Sequence, residues 1–208
     1  TGSFNLTIKA TNIATLQSSQ SFTLNVNLAP VFTSSTSATF ITGIVGTFSI
    51  TTSGYPIPAI TYTSIPELPT SLTLTDNSNG TATLSGTPLV KDAGLYTIKL
   101  TAKNGISPDA TQTLSLMIGQ QPAITSVNNT TLLAGSTIAF TFTTSGYPIP
   151  TLSYTGTLPS GLNFKDNLDG TASLSGIPAE GSGNQYLLEL KAANGISPDA
   201  TQTFTLTS

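Results

Sequence analysis

Apolar and polar residues alternate along most of this chain, in short runs that restart every few residues. Phe48 and Ile50, Ile60 and Tyr62, Leu72 and Leu74, Tyr96 with Ile98 and Leu100, and Leu114 with Leu116 and Ile118 each set apolar side chains two apart, mostly with Thr or Ser between them. A period of two sends successive side chains to opposite faces of an extended backbone, so these runs predict half-buried β-strands. Thr and Ser suit the exposed face of a sheet and are poor helix formers, and no stretch sustains a 3.6-residue apolar period. Asn79-Gly80, Asn104-Gly105, Asp169-Gly170 and Asn194-Gly195 break the runs with residues that tolerate positive φ, the chemistry of tight turns.

The pattern repeats. TTSGYPIP at 51–58 returns at 143–150, an offset of 92, and NGISPDATQT at 104–113 returns unchanged at 194–203, an offset of 90. GTATLSGTP at 80–88 matches GTASLSGIP at 170–178, and the change of offset falls between Tyr62 and Leu68, hence in a loop. A weaker echo opens the chain: Phe4, Leu6, Ile8, Ala10 and Asn12 align with Tyr96, Ile98, Leu100, Ala102 and Asn104, and Gln20, Phe22, Leu24 and Val26 with Gln112, Leu114, Leu116 and Ile118. Residues 1–28 therefore read as the C-terminal two strands of an incomplete preceding repeat, 29–119 as one repeat and 120–208 as another. A lone two-stranded hairpin is marginal in water, so residues 1–28 are expected to find the rest of their sheet upstream in a longer protein or in a second chain.

A repeat of about 90 residues with about seven short strands and regular turns predicts an all-β fold of tandem immunoglobulin-like β-sandwich domains. The Gly-Tyr-Pro-Ile-Pro segments at 54–58 and 146–150 do not fit a central strand, because proline lacks the ladder donor; they are expected to cross between sheets or run along an edge. Short joints are expected at Asn27–Pro30 and Gly119–Pro122, stiffened by Pro30 and Pro122.

Composition narrows the function. Only 7% of residues are charged, the net charge is −3, and all positive charge resides in six lysines. No basic cluster exists to neutralise phosphates or hold an anionic surface, which argues against nucleic acid as a partner. No segment reaches the roughly 20 apolar residues of a membrane-spanning helix, so no membrane insertion is expected. Without Cys there is neither a disulfide framework nor a thiolate site. Without His, Cys or Arg, the usual general bases, thiol nucleophiles and phosphate clamps are missing. Carboxylate pairs such as Asp76 with Asp92, or Asp166 with Asp169, meet a glycosidase requirement only by proximity in sequence, and the expected reading is turn residues in a protein that is not an enzyme and needs no cofactor.

Three constellations remain as candidates. Asp166, Asn167 and Asp169 before Gly170 offer hard oxygen ligands in a loop, with Asp166 and Asp169 the metal candidates for calcium; the same letters form a hairpin turn. Asp109 and Asp199 sit in identical exposed loops that would make a repeated binding tip, or they support the turn between the last two strands. Tyr55 and Tyr147, next to prolines, offer a surface on which a sugar would stack, or they close the sandwich end. Gln20, Gln112 and Gln202 share the inward parity of the last strand, where a buried amide needs partners.

The run Leu158–Pro178 (LPSGLNFKDNLDGTASLSGIP), then Tyr186, then Ala193–Leu206 (ANGISPDATQTFTL) resembles the immunoglobulin-like repeats, related to the cadherin-like module of dystroglycan, of large bacterial surface and secreted proteins. The resemblance covers both whole repeats and, loosely, the opening fragment; the first repeat departs from it between Ser64 and Ser71, where Thr70-Ser71 replaces Ser-Gly. It implies an extracellular spacer or adhesive stalk at the cell surface, partnered by neighbouring repeats of the same chain, and it brings no catalytic residues. Two other readings stay open. One is an adhesive module binding a surface glycan or protein through Tyr55, Tyr147, Asp109 or Asp199. The other is a filament or virion subunit in which the opening hairpin pairs with another copy.

Overall fold

Strands form where the alternation predicts them. The computed structural model describes residues 1–180 and 184–207. Seventeen strands and a single 3-10 turn at Val90–Asp92 make up the regular structure of those residues, and no helix among them is long and apolar enough to cross a membrane. The chain divides into two compact units: Thr1–Ala38, Val45–Gly86 and Leu95–Leu116 form the first, and Thr39–Ile44, Thr87–Gly94 and Met117–Ser208 the second.

The first unit opens with a hairpin of β1 (Gly2–Thr11) and β2 (Gln17–Val26), paired in register from Gly2↔Val26 to Thr11↔Gln17. One sheet follows, made by β3 (Leu28–Phe32), β5 (Gly46–Tyr55), β8 (Thr81–Gly86) and β7 (Leu72–Asp76) in that order. The other places β6 (Ala59–Ile65) beside β9 (Gly94–Lys103) and β9 beside β10 (Ala110–Ile124), with β4 (Ser37–Ile41) also on β10. Ile50, Leu74, Ala82 and Leu84 from one sheet and Ile98, Leu100, Ala102, Leu114 and Leu116 from the other are buried between them. These are the apolar positions of the alternation, so the period of two in sequence becomes one dry and one wet face per sheet.

The second unit repeats the plan. The end of β10 pairs with β12 (Ile138–Tyr147), which continues to β15 (Thr171–Gly176) and β14 (Leu162–Asp166). The facing sheet runs β11 (Asn129–Thr131), β17 (Ala200–Thr207), β16 (Gln185–Ala193), β13 (Thr151–Gly156). Register is the same in both copies: Ile50 faces Ala82 and Phe48 faces Leu84, as Phe142 faces Ala172 and Phe140 faces Leu174. The cores differ in kind. Where the first unit uses Ile50, Leu74 and Leu114, the second uses Phe142, Phe164 and Phe204, and Phe142 stands edge-on to Phe140 and Phe204 at centroid distances of 4.9 and 4.7 Å. Edge-to-face packing at this distance adds to the burial term.

Each unit has one strand more than the seven expected, because its first strand is broken in two. The leading half pairs with one sheet (β3 on β5, the end of β10 on β12) and the trailing half with the other (β4 on β10, β11 on β17). Both leading halves carry an irregularity in register, between Leu28 and Val31 and between Gln120 and Ala123. Pro30 and Pro122 sit at these irregularities, where a missing N–H costs no ladder bond. Residues 119–122, expected to be a joint, therefore lie inside the extended strand β10. The Gly-Tyr-Pro-Ile-Pro segments behave as their prolines require: β5 and β12 end at Tyr55 and Tyr147, and the prolines carry the chain across to β6 and β13 in the facing sheet.

Candidate functional site

The identical NGISPD loops and the Tyr-Pro corners meet at one end of each unit, and an asparagine joins them. Asn104 Nδ2 donates to the carbonyls of Leu28 and Pro56, both at 2.8 Å, while its Oδ1 accepts from the Ile106 N–H at 3.1 Å. Asn194 makes the same three bonds, to Gln120 O at 2.9 Å, Pro148 O at 2.8 Å and from Ile196 N at 3.1 Å. One side chain thus ties the entering strand, the sheet-crossing corner and the last hairpin together. Gly54 and Gly146 make room for it: a Cβ on Gly146 would lie 2.9 Å from Asn194 Nδ2 and 3.0 Å from Pro122 Cα. Near the start of the last strand, just after the loop, Gln112 Nε2 donates to Ser35 O at 3.0 Å and Gln202 Nε2 to Ser126 O at 3.2 Å, pinning the break in the first strand.

Asp109 and Asp199, candidates for a binding tip, face lysines. Asp109 pairs with Lys103 at 3.0 Å and Asp199 with Lys191 at 2.8 Å, all exposed. The two lysines are not equivalent in the repeat, since Lys103 aligns with Ala193 and Lys191 with Thr101; each copy reaches the same ion pair from a different position on the strand. Exposed pairs of this kind contribute about 0–1 kcal/mol. Tyr55 and Tyr147 are half-buried. The Ser3 hydroxyl donates to Asn25 Oδ1 at 2.6 Å, so Tyr55 OH donates to Ser3 Oγ at 2.7 Å. Tyr147 has no hydroxyl partner among the described residues.

The calcium candidates build a turn that spans both sheets. Asp166 Oδ1 accepts from Leu168 N at 3.1 Å and its Oδ2 from Leu152 N, on the facing sheet, at 3.2 Å. Asp169 Oδ1 accepts from the Thr171 N–H at 3.0 Å and hydroxyl at 2.6 Å. These Thr171 bonds hold the Asp169 carboxyl below its ordinary value. The first unit makes the same turn with Asp76 bonded to Ser78 N and Ile60 N, and with Asn79 in place of Asp169. Gly80 and Gly170 close the turns at φ +81° and +85°, as their sequence predicts, and Ser78 and Leu168 also adopt positive φ, at 59° and 63°. No group of three or more His, Cys, Asp or Glu side chains gathers among the described residues. Of the proposed carboxylate pairs, Asp92 is buried and accepts from Leu89 N at 2.8 Å inside the 3-10 turn.

Nothing in the composition pointed to the cross-sheet bonds of Asp76 and Asp166, or to the double donation by Asn104 and Asn194. The only available signal was that these residues recur at matching positions. An open cleft of about 320 Å³ lies where the first repeat departs from the second, lined by Tyr62, Ser64, Glu67, Leu68, Pro69 and Thr70 among others. Ser71 turns the chain there through the same Leu72 N to Pro69 O bond, 2.9 Å, that Leu162 N makes to Pro159 O at 3.2 Å. It does so without the positive φ of Gly161.

No protein-family model matches the sequence, and no curated protein does. Solved structures do resemble the fold. The I-band fragment I67–I69 from titin has a TM-score of 0.64 at 17% identity, over 99% of this chain and 74% of that one. Dpr11 IG1 bound to DIP-gamma IG+IG2 has a TM-score of 0.57 at 14% identity, over 86% of this chain and 98% of that one. The titin tandem A164–A165 has a TM-score of 0.50 at 14% identity, over 88% and 98%. At these identities the likeness is one of fold: the units are immunoglobulin-like β-sandwiches.

Proposed function

We propose that this chain is a non-catalytic extracellular spacer, a stretch of an array of immunoglobulin-like repeats with boundaries at 29–119 and 120–208, which holds another part of a surface or secreted protein away from its anchor. The observation behind this is the Asn104 and Asn194 latch. In both copies the shared polar residues of the exposed loops are spent on fastening strands to one another, as are Asp109, Asp199, Asp166 and Asp169. Strand order supports the same reading. In the second unit β11 pairs with the last strand β17 in parallel, from Asn129↔Thr205 to Thr131↔Thr207. Tension between the ends of that unit loads this ladder in shear, so its hydrogen bonds must break together.

The reading predicts two unfolding events of similar force in single-molecule pulling. Each should release chain of about 90 residues, roughly 300 Å at full extension less the folded length. Unfolding of either unit at forces no higher than those of an unstructured chain refutes it. No cofactor belongs to the spacer, so calcium should give no binding heat and no change in melting.

The cleft at Tyr62 and Glu67 favours a second reading, an adhesive module for a glycan, because it sets an exposed ring beside a carboxylate and hydroxyls. Specific retention on a glycan array, lost in Tyr62→Ala, would support it; no retention on any glycan removes it.

A further inference from the structure

The β1–β2 hairpin has the register of the last hairpin of the second unit. Leu6 faces Phe22, Ile8 faces Gln20 and Phe4 faces Leu24; Leu188 faces Phe204, Leu190 faces Gln202 and Tyr186 faces Leu206. The inward side chains are nearly the same, with Leu6, Ile8, Ala10, Phe22 and Leu24 standing where the second unit has Leu188, Leu190, Ala192, Phe204 and Leu206. Their surroundings are opposite. Those five residues of the second unit are 0% exposed, whereas Leu6, Ile8, Phe22 and Leu24 are 41%, 58%, 40% and 45% exposed.

The polar ends of the hairpin tell the same story. Asn12 aligns with Asn104 and Asn194, and it keeps only bonds within its own loop, with Oδ1 accepting from Ala14 N at 3.0 Å and Leu16 N at 3.1 Å. Among the described residues its NH2 group has no acceptor, and neither has that of Gln20. In both complete units these amides hold the same things: the carbonyls of the entering strand, of the Tyr-Pro corner and of the break in the first strand. The apolar face is covered there by the facing sheet, with Ile50 and Leu84 or Phe142 and Leu174 buried opposite it.

We infer that the apolar face of the β1–β2 hairpin is a docking surface for the leading strands of one further repeat, carried by the same polypeptide on the N-terminal side of Thr1, with a core of the second unit's kind. The core type follows from Phe22. It takes the place of Phe204, whose ring packs on Phe142 at 4.7 Å, whereas the first unit has Leu114 and Ile50, both buried, at the corresponding positions. Packing tolerates swaps that conserve total volume, so Phe22 calls for an aromatic ring opposite it. Linkage in one polypeptide follows from the two complete units, in each of which the leading strands run directly into the hairpin.

The test is a graft. A copy of residues 120–182 is placed ahead of Thr1 in the full chain, since Thr1 aligns with Gly183. Calorimetry is expected to show one further cooperative transition, and the hairpin amides to exchange about a hundredfold more slowly than in the ungrafted chain. A graft of residues 28–92, with Ile50 in place of Phe142, is expected to melt lower. Leu6→Asp should remove the new transition, while Thr7→Asp on the opposite face should leave it in place. Unchanged hairpin exchange in both grafts, or equal tolerance of Leu6→Asp and Thr7→Asp, overturns the inference. Peptide mapping of the natural protein decides the source: peptides reading through Thr1 into a Gly-Tyr-Pro-type repeat are expected, and a hairpin covered by strands of a separate chain overturns the same-polypeptide assignment.

Discussion

Replacing Asn194 by alanine removes three hydrogen bonds from the second unit at once, two donated to Gln120 O and Pro148 O and one accepted from Ile196 N. A neutral intramolecular hydrogen bond is worth about 1 kcal/mol net. Asn194 is half-buried, so water reaches some of the orphaned groups, and the expected loss is about 2–3 kcal/mol. For a unit of this size that lowers the melting temperature by on the order of 10–20 °C. Asn12 provides a matched control within the same chain. It is the equivalent residue, but it is exposed and bonds only within its own turn, so Asn12→Ala should cost less than about 0.5 kcal/mol. Asn194→Asp keeps the acceptor for Ile196 N but sets a carboxylate oxygen against two carbonyls, and it should be at least as damaging as alanine. Gly146→Ala should approach the same loss, because its Cβ enters the space of Asn194 Nδ2. Calorimetry gives the magnitude and amide exchange assigns it to the second unit. If Asn194→Ala melts within about 2 °C of Asn12→Ala, the latch contributes nothing beyond a surface turn and the reasoning fails.

Three further outcomes follow from the same contacts. The Asp169 carboxyl is held below its ordinary value near 3.8 by Thr171, so the stability it adds is present above that value and is lost as pH falls through the lower folded value; an NMR titration should place its midpoint below that of an unfolded Asp, and Asp169→Asn, which copies Asn79, should abolish this part of the acid sensitivity. Leu168 sits at φ 63° with its side chain 75% exposed. Leu168→Asn should therefore stabilise the second unit by about 0.5–1 kcal/mol in urea unfolding, and a loss of stability would contradict the strain. Phe142 is fully buried against Phe140, Phe164 and Phe204, so Phe142→Ala should cost about 3–5 kcal/mol in denaturant melts, with Phe142→Ile, the residue of the first unit, costing less.

By itself the sequence determined the elements and their number of copies. Alternation at Phe48–Ile50 or Leu114–Ile118 makes strands because backbone geometry sends neighbouring side chains to opposite faces, and Asn-Gly and Asp-Gly mark turns because few residues tolerate positive φ; both are local properties. Repetition did the rest, since two stretches with the same pattern fold alike. Only the tertiary structure decided the partners. Asn194 reaches Gln120 across 74 positions, Gln202 reaches Ser126 across 76, and Asp166 reaches across to the other sheet at Leu152. No local pattern encodes such a contact, because the partners are main-chain carbonyls, which every residue carries, and main-chain N–H groups, which every residue but proline carries. The division of each first strand between two sheets was hidden for the same reason, as was the different lysine that each copy brings to its aspartate. The hairpin β1–β2 shows the limit most clearly. Its sequence carries the inward pattern of a buried hairpin, and whether those residues are dry depends on what covers them, which is a property of the assembled sheets.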